Sequence, residues 1–175
     1  MPDVVLERVF DPPLDKAAFV AMGETAMGCL DLYRASWFES FLAVDGSRLL
    51  CRFQAPDAEA IRLVTRGDSP REKHVWSGSV HGPNLASLAN VVVERSFAAP
   101  ASMDELQARE EAAAWCLEEY RVTFLRSFFS TDFRRMLCVY QAPDAESVRR
   151  TQEQAEMPFE RVWACRNFTP ENILE

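Results

Sequence analysis

Cys51-Arg52-Phe53-Gln54-Ala55-Pro56-Asp57-Ala58-Glu59 recurs 87 residues later as Cys138-Val139-Tyr140-Gln141-Ala142-Pro143-Asp144-Ala145-Glu146. Outward from this stretch the same offset holds. Val5-Leu6-Glu7-Arg8-Val9-Phe10 falls on Val92-Val93-Glu94-Arg95-Ser96-Phe97, and Cys29 on Cys116. Tyr33-Arg34 falls on Tyr120-Arg121, Ser40-Phe41 on Ser127-Phe128, and Val75-Trp76 on Val162-Trp163. An ungapped self-match this long reads as an internal duplication, with copies at 4–81 and 91–168.

Each copy carries one succession of elements. Val4 to Phe10 is rich in strand formers. Asp15 opens a helix whose apolar residues Phe19, Met22, Ala26, Cys29, Leu30 and Tyr33 recur at three- and four-residue steps. Ser102-Met103-Asp104-Glu105 is a capping-box pattern for its counterpart. Trp37–Val44 and Leu49–Phe53 read as strands joined by a turn at Asp45-Gly46. Pro56 and Asp57 suit a first helical turn, which predicts a short helix through Ile61 and Val64 and a last strand around Val75-Trp76. The order βαββαβ is the split βαβ of ferredoxin-like folds. The predicted class is therefore α+β, with two tandem ferredoxin-like units at 1–81 and 91–175 around a linker at 82–90 that contains Gly82, Pro83 and Asn84. Each such sheet has helices on one face only, so the two units are expected to pack sheet to sheet as a pseudo-dimeric sandwich or barrel.

The chain has 175 residues, 48% hydrophobic and 26% charged, with a formal net charge of −8. Such a balance supports a globular core and repels phosphate backbones, so nucleic acid and anionic membrane surfaces are not expected as partners. Met1-Pro2-Asp3 runs straight into an apolar stretch without the basic region of a signal peptide, and no run reaches membrane-spanning length. Five widely spaced cysteines without a CxxC pair read as free thiols in a reducing compartment, so the cytoplasm is the expected location.

Strand alternation puts Glu7 and Glu94 on one sheet face and Arg8 and Arg95 on the other. One reading of these charges is a Glu–Arg ion-pair network that fixes the strands; the other places Glu7 and Glu94 in a cavity between the sheets. Ser40 and Ser127, Cys51 and Cys138, and Phe53 and Tyr140 occupy matching strand positions, and Tyr33 and Tyr120 end the first helices. These pairs are candidates to line a small-molecule site, with repeated packing as the alternative. Cys51 and Phe53 share a face, which periodicity leaves open between cavity and helix-facing core. His74 and His81 are the only histidines. A transition-metal site would combine His74 with Cys51 or Cys138. Dinucleotide, phosphate-loop, GxSxG and HExxH motifs are absent from the sequence.

On Glu7-Arg8-Val9-Phe10, Glu94-Arg95-Ser96-Phe97, the two Ser-Phe pairs and the two Cys-to-Asp stretches, each copy resembles a small bacterial family first classed as a domain of unknown function, which includes a nickel-binding protein. The resemblance implies a ferredoxin-like unit that pairs sheet to sheet, and nickel or another transition metal as cofactor. Histidines frequent in that family are replaced here by Glu39 and Arg126 on strand two and by Val64 and Thr151 on the second helix, which removes the imidazoles best suited to nickel. The leading expectation is a small cytosolic binding protein holding a small molecule, or in second place a metal, between its sheets. The alternatives are a cofactor-independent enzyme acting on a small organic molecule in that cavity, and a structural module that forms homo-oligomers.

Overall fold

The structure, a computed structural model, describes residues 1–83 and 85–175; Asn84, read above as part of the linker, lies outside the described residues. The chain divides into two compact units, Met1–Gly78 with Arg166–Glu175, and Ser79–Cys165. The sequence placed its cuts elsewhere, at 81 and 91. Ser79–His81 falls in the second unit and the C-terminal stretch in the first, where the Phe168 ring packs on Phe19 with centroids 5.1 Å apart.

The first unit contains β1 (Asp3–Val9), α1 (Lys16–Leu30), β2 (Ser36–Ala43), β3 (Arg48–Gln54), α2 (Ala58–Val64) and β4 (Glu72–His81) as far as Gly78. β1 lies between β3 and β4 and is antiparallel to both, and β2 flanks β3, which gives the order β4-β1-β3-β2. The second contains β5 (Val91–Ser96), α3 (Met103–Ala112), α4 (Ala114–Glu119), β6 (Thr123–Ser130), β7 (Arg135–Gln141), α5 (Ala145–Gln154) and β8 (Arg161–Phe168) as far as Cys165, in the order β8-β5-β7-β6. Pairings recur at the sequence offset: Val4 with Phe53 and Val91 with Tyr140, then Ser40 with Cys51 and Ser127 with Cys138. Both second strands are bulged at the same place, between Trp37 and Glu39 and between Phe124 and Arg126.

The local signals act as their chemistry requires. Asp15, Asp57 and Asp144 cap α1, α2 and α5 by accepting from the amides of Ala18 (2.7 Å), Ala60 (2.9 Å) and Ser147 (2.7 Å). Gly46 takes a positive φ of 76° at the β2–β3 turn, and a Cβ there would meet the Leu14 carbonyl oxygen at 2.0 Å. One expected helix is divided: after Met103–Ala112, Ala113 (φ −100°, ψ 6°) leaves helical geometry before α4 begins. Cys51 and Phe53 belong to the helix-facing core with Val4, Leu6, Phe19, Leu30 and Ile61. The corresponding cluster of the second unit holds Val91, Val93, Cys138, Tyr140, Leu106 and Val148.

Candidate binding site

Alternation along β5 sends Arg95 to the helix side of its sheet with Val91 and Val93, where it is 0% exposed. A guanidinium taken out of water persists only with partners. Its Nη1 donates to the Pro158 carbonyl at 2.8 Å, and its Nη2 to the Tyr140 hydroxyl at 3.4 Å and to Gln152 Oε1. The α5 residue Gln152 spends its amide hydrogens on the Tyr140 hydroxyl and Thr151 Oγ1, both at 3.3 Å, and Thr151 donates to the Val148 carbonyl at 2.7 Å. These hydrogen-bonded partners are all neutral, and Arg95 Nε has none. Burial pushes both the Cys138 thiol and the Tyr140 phenol up from their ordinary values, so both stay protonated at neutral pH. Burial also opposes the Arg95 charge, yet the Arg95 pKa lies above its ordinary value, with Glu110 among the groups that favour the charge.

Against this network lies a cavity of about 40 Å³. Ala113 and Leu117 from the broken helix, Phe124 from β6, and Ala155 and Met157 after α5 form its apolar walls. Tyr140, Thr151 and Gln152 form a polar side, and Glu110 from α3 completes the lining. Glu110 Oε1 is buried without a hydrogen-bond partner. Burial raises the pKa of this carboxyl, while the nearby Arg95 charge pulls it the other way. The arrangement is an apolar pocket with one unmet polar atom and a fixed positive charge behind its polar side.

In the first unit the matching arginine is closed off differently. Arg8 contacts the Asp68 carboxylate directly, with both side chains buried. Its other neighbours are Cys51 Sγ at 3.2 Å and Met22 Sδ at 3.6 Å. At the repeat offset Gly23 stands for Glu110, Phe53 for Tyr140, Thr65 for Gln152 and Asp68 for Ala155. The polar side of the cavity is thus peculiar to the second unit.

Of the residues singled out from sequence, Tyr140 lines the cavity and Cys138 is buried beside it in the same core. Glu7 and Glu94 lie on the opposite sheet face, each accepting from a tryptophan indole at 2.7 Å, Trp76 and Trp163 respectively. Glu94 also pairs with Arg135 at 2.6 Å and Arg161 at 3.4 Å. Ser40 donates to Cys51 Sγ at 2.9 Å, and Ser127 is buried opposite Cys138. Tyr33 packs against the first core, while the Tyr120 hydroxyl accepts from Gln154 at 2.7 Å. Sequence reading passed over Glu110 and Gln152, and treated Arg95 only as an ion-pair partner. The signal for Glu110 was its mismatch at the repeat offset, a carboxyl where the other half has Gly23, whereas Gln152 falls on the polar Thr65 and Arg95 on Arg8 and carried no such signal.

The residues present do not fit a nickel centre. Among the described residues no group of three or more His, Cys, Asp or Glu could hold a metal ion. His74 is exposed on β4, Cys51 sulfur is engaged by Arg8 and Ser40, and Cys138 is held protonated by burial.

A family model, Nickel responsive protein SCO4226-like, matches residues 92–164. The match falls on the second unit. No curated protein matches the chain in sequence. Among solved structures, a candidate chlorite dismutase, TA0507, is 9% identical with a TM-score of 0.54, over 99% of this chain and 98% of its own. An anthrone oxidase-like protein is 11% identical with a TM-score of 0.53, over 95% and 92%. SCO4226 from Streptomyces coelicolor A3(2) is 19% identical with a TM-score of 0.39, over 42% of this chain and 91% of its own. At these identities the first two likenesses show the fold alone. No helix among the described residues is long and apolar enough to cross a membrane.

Proposed function

We propose that this chain is a cytosolic, duplicated small-molecule binding protein whose ligand site is the helix–sheet cavity of the second unit, one site per chain. The observation that carries the reading is the cavity itself: apolar walls set against a buried Arg95–Gln152–Tyr140 network, with Glu110 Oε1 unmet. Mostly apolar pockets with a few placed polar groups are the usual form of a small-molecule site. Five free cysteines fit a reducing compartment. The family matching residues 92–164 is described as nickel responsive, but the absence of a metal-holding cluster among the described residues favours an organic ligand here. The test is a fragment screen by thermal shift and ligand-observed NMR on the whole chain, with Ala155→Phe and Ala113→Leu filling the cavity. Binding in the native chain that both variants lose supports the site. Fragments that bind all three proteins equally would sink it.

A second reading is favoured by the raised pKa of Glu110 on the lining of this cavity, the setting of a general acid or base. On this reading the cavity turns over its organic molecule, and Glu110→Gln leaves binding in place while removing turnover.

A further inference from the structure

The geometry points to a small neutral molecule bearing a hydroxyl group as the ligand of this cavity, with its O–H donated to Glu110 Oε1 and its apolar part against Leu117, Phe124 and Met157. This inference rests on the cavity being a binding site at all. Four observations lead to it.

The first is the state of the polar side chains. Gln152, Tyr140 and Thr151 are hydrogen-bonded to one another, to Arg95 or to the Val148 carbonyl, so their main contacts are already made. The second is the one unmet atom on the lining, a carboxyl oxygen. A buried acceptor without a donor is costly, and a ligand that brings a donor removes that cost. The third is charge. Arg95 stands close enough to act on Glu110, so a cationic ligand gives up its solvation without a net attraction in return, Arg95 offsetting the Glu110 carboxylate, and an anionic one is repelled by that carboxylate. A neutral donor escapes both penalties. The fourth is size. About 40 Å³ is room for a few non-hydrogen atoms, against roughly 150 Å³ for a cavity that takes benzene. The first unit, with Gly23 at the matching position, has no carboxyl to offer there.

The test is an amide NMR titration of the full chain with four probes of similar size: isopropanol, acetone, acetate and isopropylammonium. Isopropanol is expected to give saturating shifts at Glu110, Ala113 and Ala155 at one equivalent per chain. Acetone lacks the donor and the other two carry charge, so each is expected to bind at least about tenfold more weakly. Glu110→Leu, which removes the acceptor, is expected to lose the preference for isopropanol over acetone while keeping a native amide spectrum. Equal affinity of isopropanol and acetone, or a preference for either ion, overturns the hydroxyl assignment; loss of those shifts in Ala155→Phe would still leave the cavity standing as a site. Shifts that persist unchanged in Ala155→Phe, or no saturation with any probe, overturn the assignment as well, and the fragment screen then judges the cavity on its own.

Discussion

Arg8 and Arg95 show how one buried residue can be satisfied in two ways. Arg8 has a carboxylate partner, and Arg95 has amide, phenol and carbonyl oxygens. Removing one partner of a buried ion pair leaves an uncompensated charge, so Asp68→Ala is expected to cost about 3–5 kcal/mol. Gln152→Ala removes one hydrogen bond to a charged group and is expected to cost about 1.5–3 kcal/mol. Urea unfolding checks both, and the reverse ranking would count against the ion pair. Glu110 has a pKa raised by burial, so between its unfolded and folded values the folded chain holds the extra proton. Unfolding free energy therefore falls as pH rises through that window. Glu110→Gln is accordingly expected to melt a few degrees above the native chain at about pH 7, where roughly 1 kcal/mol moves a chain of this length by about 2–4 °C. The two melting curves should converge below about pH 3, where the carboxyl is protonated in both states.

At the scale of elements, α2 spans seven residues, fewer than the roughly 12–15 an isolated helix needs to be even marginal in water. It stands on its Asp57 cap and on the burial of Ala60, Ile61 and Val64. Asp57→Ala is expected to lower stability by about 1 kcal/mol, read as a shift of the urea midpoint with the slope unchanged. A wild-type midpoint would mean that packing alone holds the helix. In the second unit the first helix breaks at Ala113, and Glu110, Ala113 and Leu117, at the i, i+3, i+7 spacing of one helical face, lie on one cavity wall. The capping signal at Ser102 locates where that helix begins, with Ser102 Oγ accepting from Glu105 at 3.3 Å, but carries no information on where it stops.

For the molecule as a whole, the proposed site follows from a difference between the two units, since the polar side of the cavity is built in the second alone. One ligand per chain is the expected stoichiometry, and calorimetry that returned two equal sites would contradict it. Thiol accessibility offers an independent check: Cys51, Cys116, Cys138 and Cys165 are buried and Cys29 is partly exposed. A thiol reagent is expected to modify Cys29 rapidly and the other four only on unfolding. Four fast thiols would contradict the burial described.

The βαββαβ order, the helix starts at Asp15 and Ser102, the Asp45-Gly46 turn and the face shared by Cys51 and Phe53 were legible in the residues, because each depends on neighbours in sequence or on the two-residue period of a strand; Asp57, read as part of a first helical turn, is instead the N-cap just before it. The recurrence of residues at an offset of 87 was legible for the same reason, as a comparison of residues with residues. Tertiary structure alone decided which sheet face Cys51, Cys138 and Tyr140 occupy, because a period of two assigns residues to one face without saying what covers it. It also decided that Glu94 pairs with Arg135 and Arg161, which reach it from β7 and β8, while Arg95 lies among Gln152, Tyr140 and the Pro158 carbonyl. The cavity was hidden for the same reason. Glu110, Tyr140 and Gln152 come from two helices and a strand, and long-range packing brings them together in the second unit.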